Sequence, residues 1–296
     1  MDIEIKGLSK TYPNGHQAIK DINLSIGSGM FGLLGPNGAG KSSLMRTLVT
    51  LQTASGGSIT MDGLDITKHR RQIRPWIGYL PQDFTYFTKL KTWEFLDYAA
   101  RLSTKLKKKQ RLSKVDEMLD QVGLLDVRER YANKLSGGMK RRLGIAQALI
   151  GNPRLLVIDE PTTGLDPEER IRFRNILSDL SQKDVSIILS THIVGDISST
   201  CHNMAMLHRG EVAFAGAPEG MINKVRGHVW QVTVDDDAFN QLKHQFPVIS
   251  TIPVAGKWET QLIANEQPHT EAVTIEPNLE HAYVYFMENK LGISLV

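Results

Sequence analysis

The sequence has no long hydrophobic run; stretches such as Leu155-Leu156-Val157-Ile158 are typical, far short of the ~20 apolar residues that cross a bilayer. No membrane span is therefore expected. A marked excess of one charge is also lacking, because 35 Lys plus Arg against 32 Asp plus Glu leave a formal +3 at pH 7. That balance excludes a polybasic nucleic-acid wrapper and an acidic tail. There is one cysteine, Cys201, which cannot form an internal disulfide and suits a reducing compartment. Its expected role is that of a small buried apolar residue. The opening Met1-Asp2-Ile3-Glu4 lacks the positive leader and apolar segment of a secretion signal.

What is present is a globular balance, with 41% hydrophobic and 23% charged residues over 296 positions. The length suits one large domain or two ordinary ones. Short apolar runs at Met30–Leu34, Ile77–Leu80, 155–158, 186–189 and 204–207 are continuous, not alternating. Such runs predict strands covered on both faces. Helical patterns lie between them, the clearest carrying Phe173, Ile176, Leu177 and Leu180 on one face. An α/β fold with a mostly parallel sheet is expected. From about 88 to 151 no strand is evident, and Leu112, Val115, Leu119 and Val122 form an apolar stripe ending at Gly123, which predicts a helical insertion. The run Lys105-Leu106-Lys107-Lys108-Lys109-Gln110-Arg111 within it reads as a solvated face. After Gly216-Ala217-Pro218 the rhythm changes: strands at Val229–Val234, 259–264 and 272–275, a helix at 238–246 and a terminal helix at 278–290 predict a small α+β extension.

The apolar strand Met30–Leu34 runs into Gly35-Pro36-Asn37-Gly38-Ala39-Gly40-Lys41-Ser42, followed by Leu44, Leu48 and Leu51 at helical spacing. Strand, glycine-rich loop and helix in this order form a phosphate-binding loop. Triphosphate is dense negative charge, and consecutive backbone N–H groups can face it only where side chains do not intrude. A helix beginning near Lys41 adds its positive dipole end, Lys41 neutralises β- and γ-phosphate charge, and the Ser42 hydroxyl is a Mg²⁺ ligand.

Strand 155–158 ends in Asp159-Glu160-Pro161. Carboxylates at the end of a buried parallel strand sit at the mouth of the sheet, where open α/β folds bind ligands. Asp159 is expected to hold Mg²⁺ opposite Ser42, and Glu160 to polarise an attacking water. A second anion-binding helix start is expected at Leu135-Ser136-Gly137-Gly138-Met139, ahead of a helix at 140–150. The two helix starts are far apart in sequence, so both are unlikely to grip the same phosphates in one subunit.

With these motifs in this order, residues 1–217 resemble the nucleotide-binding subunit of an ATP-binding cassette transporter. Residues 135–139 are similar to the family's Leu-Ser-Gly-Gly-Gln signature, with Met139 in the place of Gln. The resemblance implies a P-loop NTPase (RecA-like) core with a mostly parallel sheet, an inserted all-helical subdomain at about 88–151 and a small C-terminal α+β extension at 218–296. It also implies ATP and Mg²⁺ as cofactors. By position, Tyr12 matches an aromatic that stacks on adenine, Gln82 a glutamine that senses Mg²⁺ and the attacking water, Glu160 the catalytic base and His192 a histidine at the γ-phosphate. Gly35 through Ser43 match the phosphate loop, Ser136, Gly137 and Gly138 the signature, and Asp166 a loop that communicates across a dimer.

The resemblance further implies a homodimer, or paired cassettes, joined head to tail around two ATP. It implies a separate integral membrane permease, no direct contact with nucleic acid or with transported substrate, and a cytoplasmic location, peripheral on the inner face of the membrane. Phe84, Tyr86 and Phe87 are placed to line a docking groove for the permease or to pack inside the helical subdomain. Residues 276–283, Glu-Pro-Asn-Leu-Glu-His-Ala-Tyr, are similar to the ends of bacterial drug-, antibiotic- and lantibiotic-type exporter ATPases. The alternative, a soluble cassette ATPase acting on ribosomes or nucleic acid, is disfavoured by the single cassette and the absence of sustained heptads. A kinase or GTPase leaves the signature unexplained.

Overall fold

The continuous apolar runs become strands of one buried sheet. In chain order the strands are β1 (Ile3–Thr11), β2 (Gln17–Ile26), β3 (Met30–Leu34), β4 (Gly56–Met61), β5 (Leu64–Asp65), β6 (Ile77–Leu80), β7 (Leu155–Asp159), β8 (Ser186–Thr191), β9 (Asn203–His208), β10 (Glu211–Gly216), β11 (Val229–Val234), β12 (Val248–Val254), β13 (Lys257–Ile263) and β14 (Val273–Thr274). The α-helices are α1 (Lys41–Leu48), α2 (Arg70–Ile73), α3 (Thr92–Ser103), α4 (Lys108–Gln121), α5 (Gly137–Leu149), α6 (Pro167–Ser181), α7 (Val194–Ser198), α8 (Pro218–Ile222), α9 (Asp236–Gln245) and α10 (Leu279–Tyr285). This computed structural model describes residues 1–85, 89–182 and 185–290, the side chains of 289 and 290 excepted. Two compact units divide the chain, Met1–Ala215 and Gly216–Val296.

In the first unit a six-stranded sheet has the order β10-β9-β3-β8-β7-β6. β3 pairs parallel with β8 and β9, and β7 pairs parallel with β6 and β8. Every residue of β3, β7 and β8 is buried, which is why these strands read as unbroken apolar runs. The order also brings the ends of β3, β8, β7 and β6 side by side along one edge, so four loops distant in sequence converge.

A second, antiparallel sheet of order β2-β1-β4-β5 was not expected from the sequence. Its pattern is hard to read because register shifts interrupt the β1–β2 pairing, for example between Ile5 and Leu8. One apolar core joins the two sheets and α1, with Ile3, Ile5, Leu24 and Ile59 meeting Leu44, Met45, Leu48, Leu33 and Val157. The helix after the phosphate loop is shorter than its leucine spacing suggested. It ends at Leu48, Thr50 takes a left-handed φ of 62°, and Leu51 is 62% exposed.

The helical insertion is α3, α4 and α5, which pack on one another. Gly123 follows α4 with a φ of +64°, as its C-terminal role requires. Lys105, Lys107, Lys108 and Lys109 are exposed, as expected of a solvated face. Arg111 departs from that face: its Nε donates to the buried Asp97 at 2.5 Å, and Arg101 donates to the same carboxylate at 2.8 Å. α5 begins at Gly137, three residues before the expected start, with Ser136 as its N-cap.

The second unit has a sheet of order β12-β13-β11-β14, with Val232, Val234, Leu262 and Leu242 of α9 in its core. β12 was not expected; it is an edge strand carrying Pro253 beside exposed Ile252 and Val254. Helix α10 gives way at Phe286–Lys290 to a π-helical turn. In the first unit Cys201 is buried, and desolvation pushes its thiol up to about 11, in keeping with an apolar packing role.

His281 gives the second unit a pH dependence. It is 5% exposed, its Nδ1 accepts from the Asn278 N–H at 3.2 Å, and its Nε2 faces Gln261 Oε1 at 3.0 Å, so the neutral ring with hydrogen on Nε2 fits the site. Burial pulls its pKa below the ordinary 6.5, with Glu280 opposing. Below the ordinary value the unfolded chain takes up a proton that the folded ring resists, so this stabilisation is present above the ordinary value and is lost as pH falls beneath it. The thermal unfolding midpoint is expected to fall between about pH 7.5 and about 5.5, and to fall less in His281→Gln. Identical pH slopes in the two proteins would remove His281 as the cause.

Candidate functional site

The phosphate loop closes over the end of β3. Gly40 adopts φ 103°, and a Cβ there would collide with the Ala18 carbonyl, so only glycine fits between the loop and β2. α1 starts at the next residue, leaving its first-turn N–H groups facing a cavity of about 320 Å³. Tyr12, His16, Asn37, Gly38, Ala39, Gly40, Lys41, Ser42, Ser43, Gln82 and Glu160 line that cavity, with Ala18 behind. Tyr12 is half-buried, and its hydroxyl is held 3.0 Å from Ser43 Oγ and 3.1 Å from Gln52 Oε1, which fixes the ring at the rim. A flat aromatic there suits a base that stacks.

Lys41 is 4% exposed. Its Nζ donates to the Gly35 carbonyl at 2.7 Å and to Pro36 at 3.1 Å, and pairs with Glu160 Oε1 at 3.1 Å. Glu160, 5% exposed, also receives the His192 Nδ1 hydrogen on Oε2 at 3.1 Å. A carboxylate accepts only, so this contact puts hydrogen on Nδ1 and leaves Nε2 of a neutral ring as an acceptor. Lysine, glutamate and histidine thus come from loops after β3, β7 and β8, the three adjacent strands.

Asp159 is fully buried at the end of β7. Ser190 Oγ donates to its Oδ1 at 2.6 Å, while Oδ2 has no hydrogen-bond partner. An orphaned buried carboxylate oxygen at the end of β7, one residue before the cavity-lining Glu160, fits a cation. Among the described residues no group of three or more His, Cys, Asp and Glu could form an all-protein metal cage. The Asp159 carboxylate is a hard oxygen donor of the kind Mg²⁺ takes, and Mg²⁺ bound with phosphate oxygens needs only one or two protein ligands.

The structure does not bring the signature into this cavity. Ser136 and Gly137 are exposed, and neither they nor Gly138 nor Asp166 line it. Ser136 Oγ accepts from the Met139 N–H at 3.2 Å, while Gly138 is buried where any Cβ would strike the Glu169 carboxylate. Asp166 caps α6 by accepting from the Glu169 N–H at 2.8 Å, with Pro167 next in the chain. Phe84 packs edge-on against Phe95 at 6.0 Å, inside the helical subdomain; Tyr86 and Phe87 lie outside the described residues.

Three participants were missed in the sequence. Ser190 also accepts from the Glu160 N–H at 3.1 Å, so one hydroxyl orients both acidic residues, and a serine in an apolar run gave no hint of it. Asp196 Oδ2 accepts from Thr162 at 2.5 Å and Thr191 at 3.2 Å, joining the turns after β7 and β8. Arg141, in the first turns of α5, donates to main-chain carbonyls of Pro161, Gln82 and Glu160. Burial pulls Arg141 below the ordinary arginine range, while Asp159, Asp83 and Glu160 oppose that shift.

Residues 19–163 match the family described as ABC transporter. Lipopolysaccharide export system ATP-binding protein LptB of Haemophilus influenzae is 33% identical over 222 residues, which cover 74% of this chain and 91% of LptB. The chain belongs to the ABC transporter ATP-binding family. Methionine import ATP-binding protein MetN 2 of Yersinia pestis is 38% identical over 224 residues, 73% of this chain and 68% of MetN 2. The chain spans about two thirds of the length of several other curated relatives. Among solved structures, the ADP- and phosphate-bound post-hydrolysis dimer of the ATP-binding cassette MJ0796 superposes with a TM-score of 0.67 at 25% identity, covering 73% of this chain and 98% of that one. ATP and Mg²⁺ are accordingly its cofactors and ATP hydrolysis its activity. Among the described residues no helix is long and apolar enough to cross a membrane.

Proposed function

We propose that this chain is the ATP-hydrolysing subunit of a drug-, antibiotic- or lantibiotic-type exporter, closing head to tail with a second cassette around two Mg-ATP. The carrying observation is the separation of the parts. Lys41, Glu160 and His192 form one connected set, while Ser136 and Gly137 at the start of α5 are exposed and line no part of that cavity. A helix start with open N–H groups is completed by phosphate from a partner's site.

In this reading Glu160 is the general base, and its carboxylate is paired with Lys41 and His192. Phosphate competes for Lys41, leaving the carboxylate oriented by His192 to accept a proton from water. Asp159 and Ser42, with Gln82, would hold Mg²⁺, which would supply charge neutralisation at the phosphates. ATP binds the closed pair better than open subunits and so drives closure, and hydrolysis reverses it. Residues 1–217 are the cassette, with the helical subdomain at about 88–151; residues 218–296 are a regulatory or dimer-stabilising extension.

A groove of about 480 Å³ supports docking of a permease. Arg71 and Arg74, residues of β6, Leu102 and Ser103 of α3, and Gln147 and Gly151 line it. Leu102 is 74% exposed, so an amphipathic helix bearing an acidic residue suits the groove. LptB and MetN 2 are named for export and import respectively, so the exporter assignment is supported by the similarity of residues 276–283.

Glu160→Gln is expected to bind ATP, lose turnover by about 100-fold or more and accumulate as a dimer with ATP in sedimentation; near-wild-type hydrolysis would falsify the base assignment. Ser136→Arg is expected to bind ATP as a monomer but not to dimerise, and normal ATP-driven closure would reject the composite site. Membrane-solubilised tagged chain is expected to co-purify an integral membrane protein, whose reconstitution with this chain moves substrate away from the side that hydrolyses ATP. Recovery of ribosomes or DNA instead, or transport in the opposite direction, sinks the exporter reading.

A further inference from the structure

Arg141 and Arg142 are neighbours in α5 with different tasks. Arg142 is 2% exposed and ties helices together, donating to the Val122 and Gly123 carbonyls at 2.8 Å each and pairing with Glu169. Arg141 reaches the catalytic edge of the sheet. Its Nε donates to the Pro161 carbonyl at 2.9 Å, Nη1 to the Gln82 carbonyl at 2.7 Å and the Pro81 carbonyl at 3.3 Å, and Nη2 to the Glu160 carbonyl. One planar guanidinium therefore joins the segment after β6 to the segment after β7, a fork that lysine cannot reproduce.

All these acceptors are main-chain oxygens, so the side chains of Gln82 and Glu160 stay free to line the nucleotide cavity. Arg141 also shares α5 with the signature at its N-terminus, Ser136 and Gly137. The link runs from the surface that meets a partner's nucleotide to the backbone of the base and of the metal-sensing glutamine.

We propose that Arg141 is a positioning residue for ATP hydrolysis, holding Gln82 and Glu160 at a spacing set by the position of the signature helix. The proposal rests on the roles given above to Glu160 and Gln82. Movement of α5 then carries both loops together, and removal of the fork lets each loop settle independently. ATP still reaches the phosphate loop, whose contacts do not involve Arg141, but the groups around the reacting phosphate are misplaced.

The test uses the full chain with Arg141→Met, which keeps the apolar stem, Arg141→Lys, and Glu160→Gln in parallel. For Arg141→Met, kcat is expected to fall about 10- to 100-fold. Calorimetric ATP affinity and the thermal midpoint should stay close to wild type, while the Mg²⁺ concentration giving half the maximal rate rises. Arg141→Lys is expected to recover only part of kcat. Wild-type kcat in Arg141→Met with an inactive Glu160→Gln overturns the link and leaves the base assignment standing. Loss of kcat in proportion to lost ATP affinity or lost folded protein also overturns it. Active Glu160→Gln overturns the base assignment, and the link falls with it.

Discussion

Two opposite charges buried together govern this site: Lys41 and Glu160, 4% and 5% exposed and 3.1 Å apart. Leaving either charge buried alone costs about 3–5 kcal/mol, so neither departs unless something replaces it. The Gly35 and Pro36 carbonyls and the His192 ring share the task of satisfying the pair. That requirement fixes the surrounding architecture. The lysine must follow β3, the glutamate β7 and the histidine β8, and the three strands must be neighbours, which the order β3-β8-β7 provides.

The near-neutral formal charge of +3 conceals how locally the anion site is built. Its positive character comes from the start of α1, the glycine-bounded loop and one lysine, not from a basic surface. The exposed lysines at 105 and 107 belong to the α3–α4 connection and those at 108 and 109 to the first turn of α4, and none lines the cavity. Net charge therefore described solubility, whereas affinity for phosphate lies in the directions of backbone dipoles.

Legibility followed the physics of each segment. Strands buried on both faces have only one way to be written, as continuous apolar runs, so β3, β7, β8 and the middle of β9 were readable, while the edge strand β6 was readable as a short apolar run although Ile77 and Tyr79 are only half-buried. The β1–β2 pairing was not, because its register shifts break the period that half-buried strands rely on. Polar Ser250 and Thr251 with Pro253 hid β12 for a similar reason. Glycine-rich loops announce themselves, since Gly40 is the residue that fits beneath the Ala18 carbonyl. Arg141 and Ser190 did not, because their value lies in carbonyls and carboxylates that only the folded chain brings to them. Leu51 misled in the opposite sense: helical spacing persisted in the sequence after the backbone had left the helix at Thr50.

Glu160 combines burial with a left-handed backbone, φ 45°, immediately after a regular strand. For a residue with a Cβ that conformation costs on the order of 1–2 kcal/mol. Glycine or asparagine would relax the turn but could not supply a carboxylate to the site. Either substitution would also strand the buried Lys41 charge, at a cost of about 3–5 kcal/mol that exceeds what relaxing the turn returns. Selection for heat resistance alone would therefore keep an acidic residue at this strained position, so the carboxylate is retained by folding as well as by chemistry.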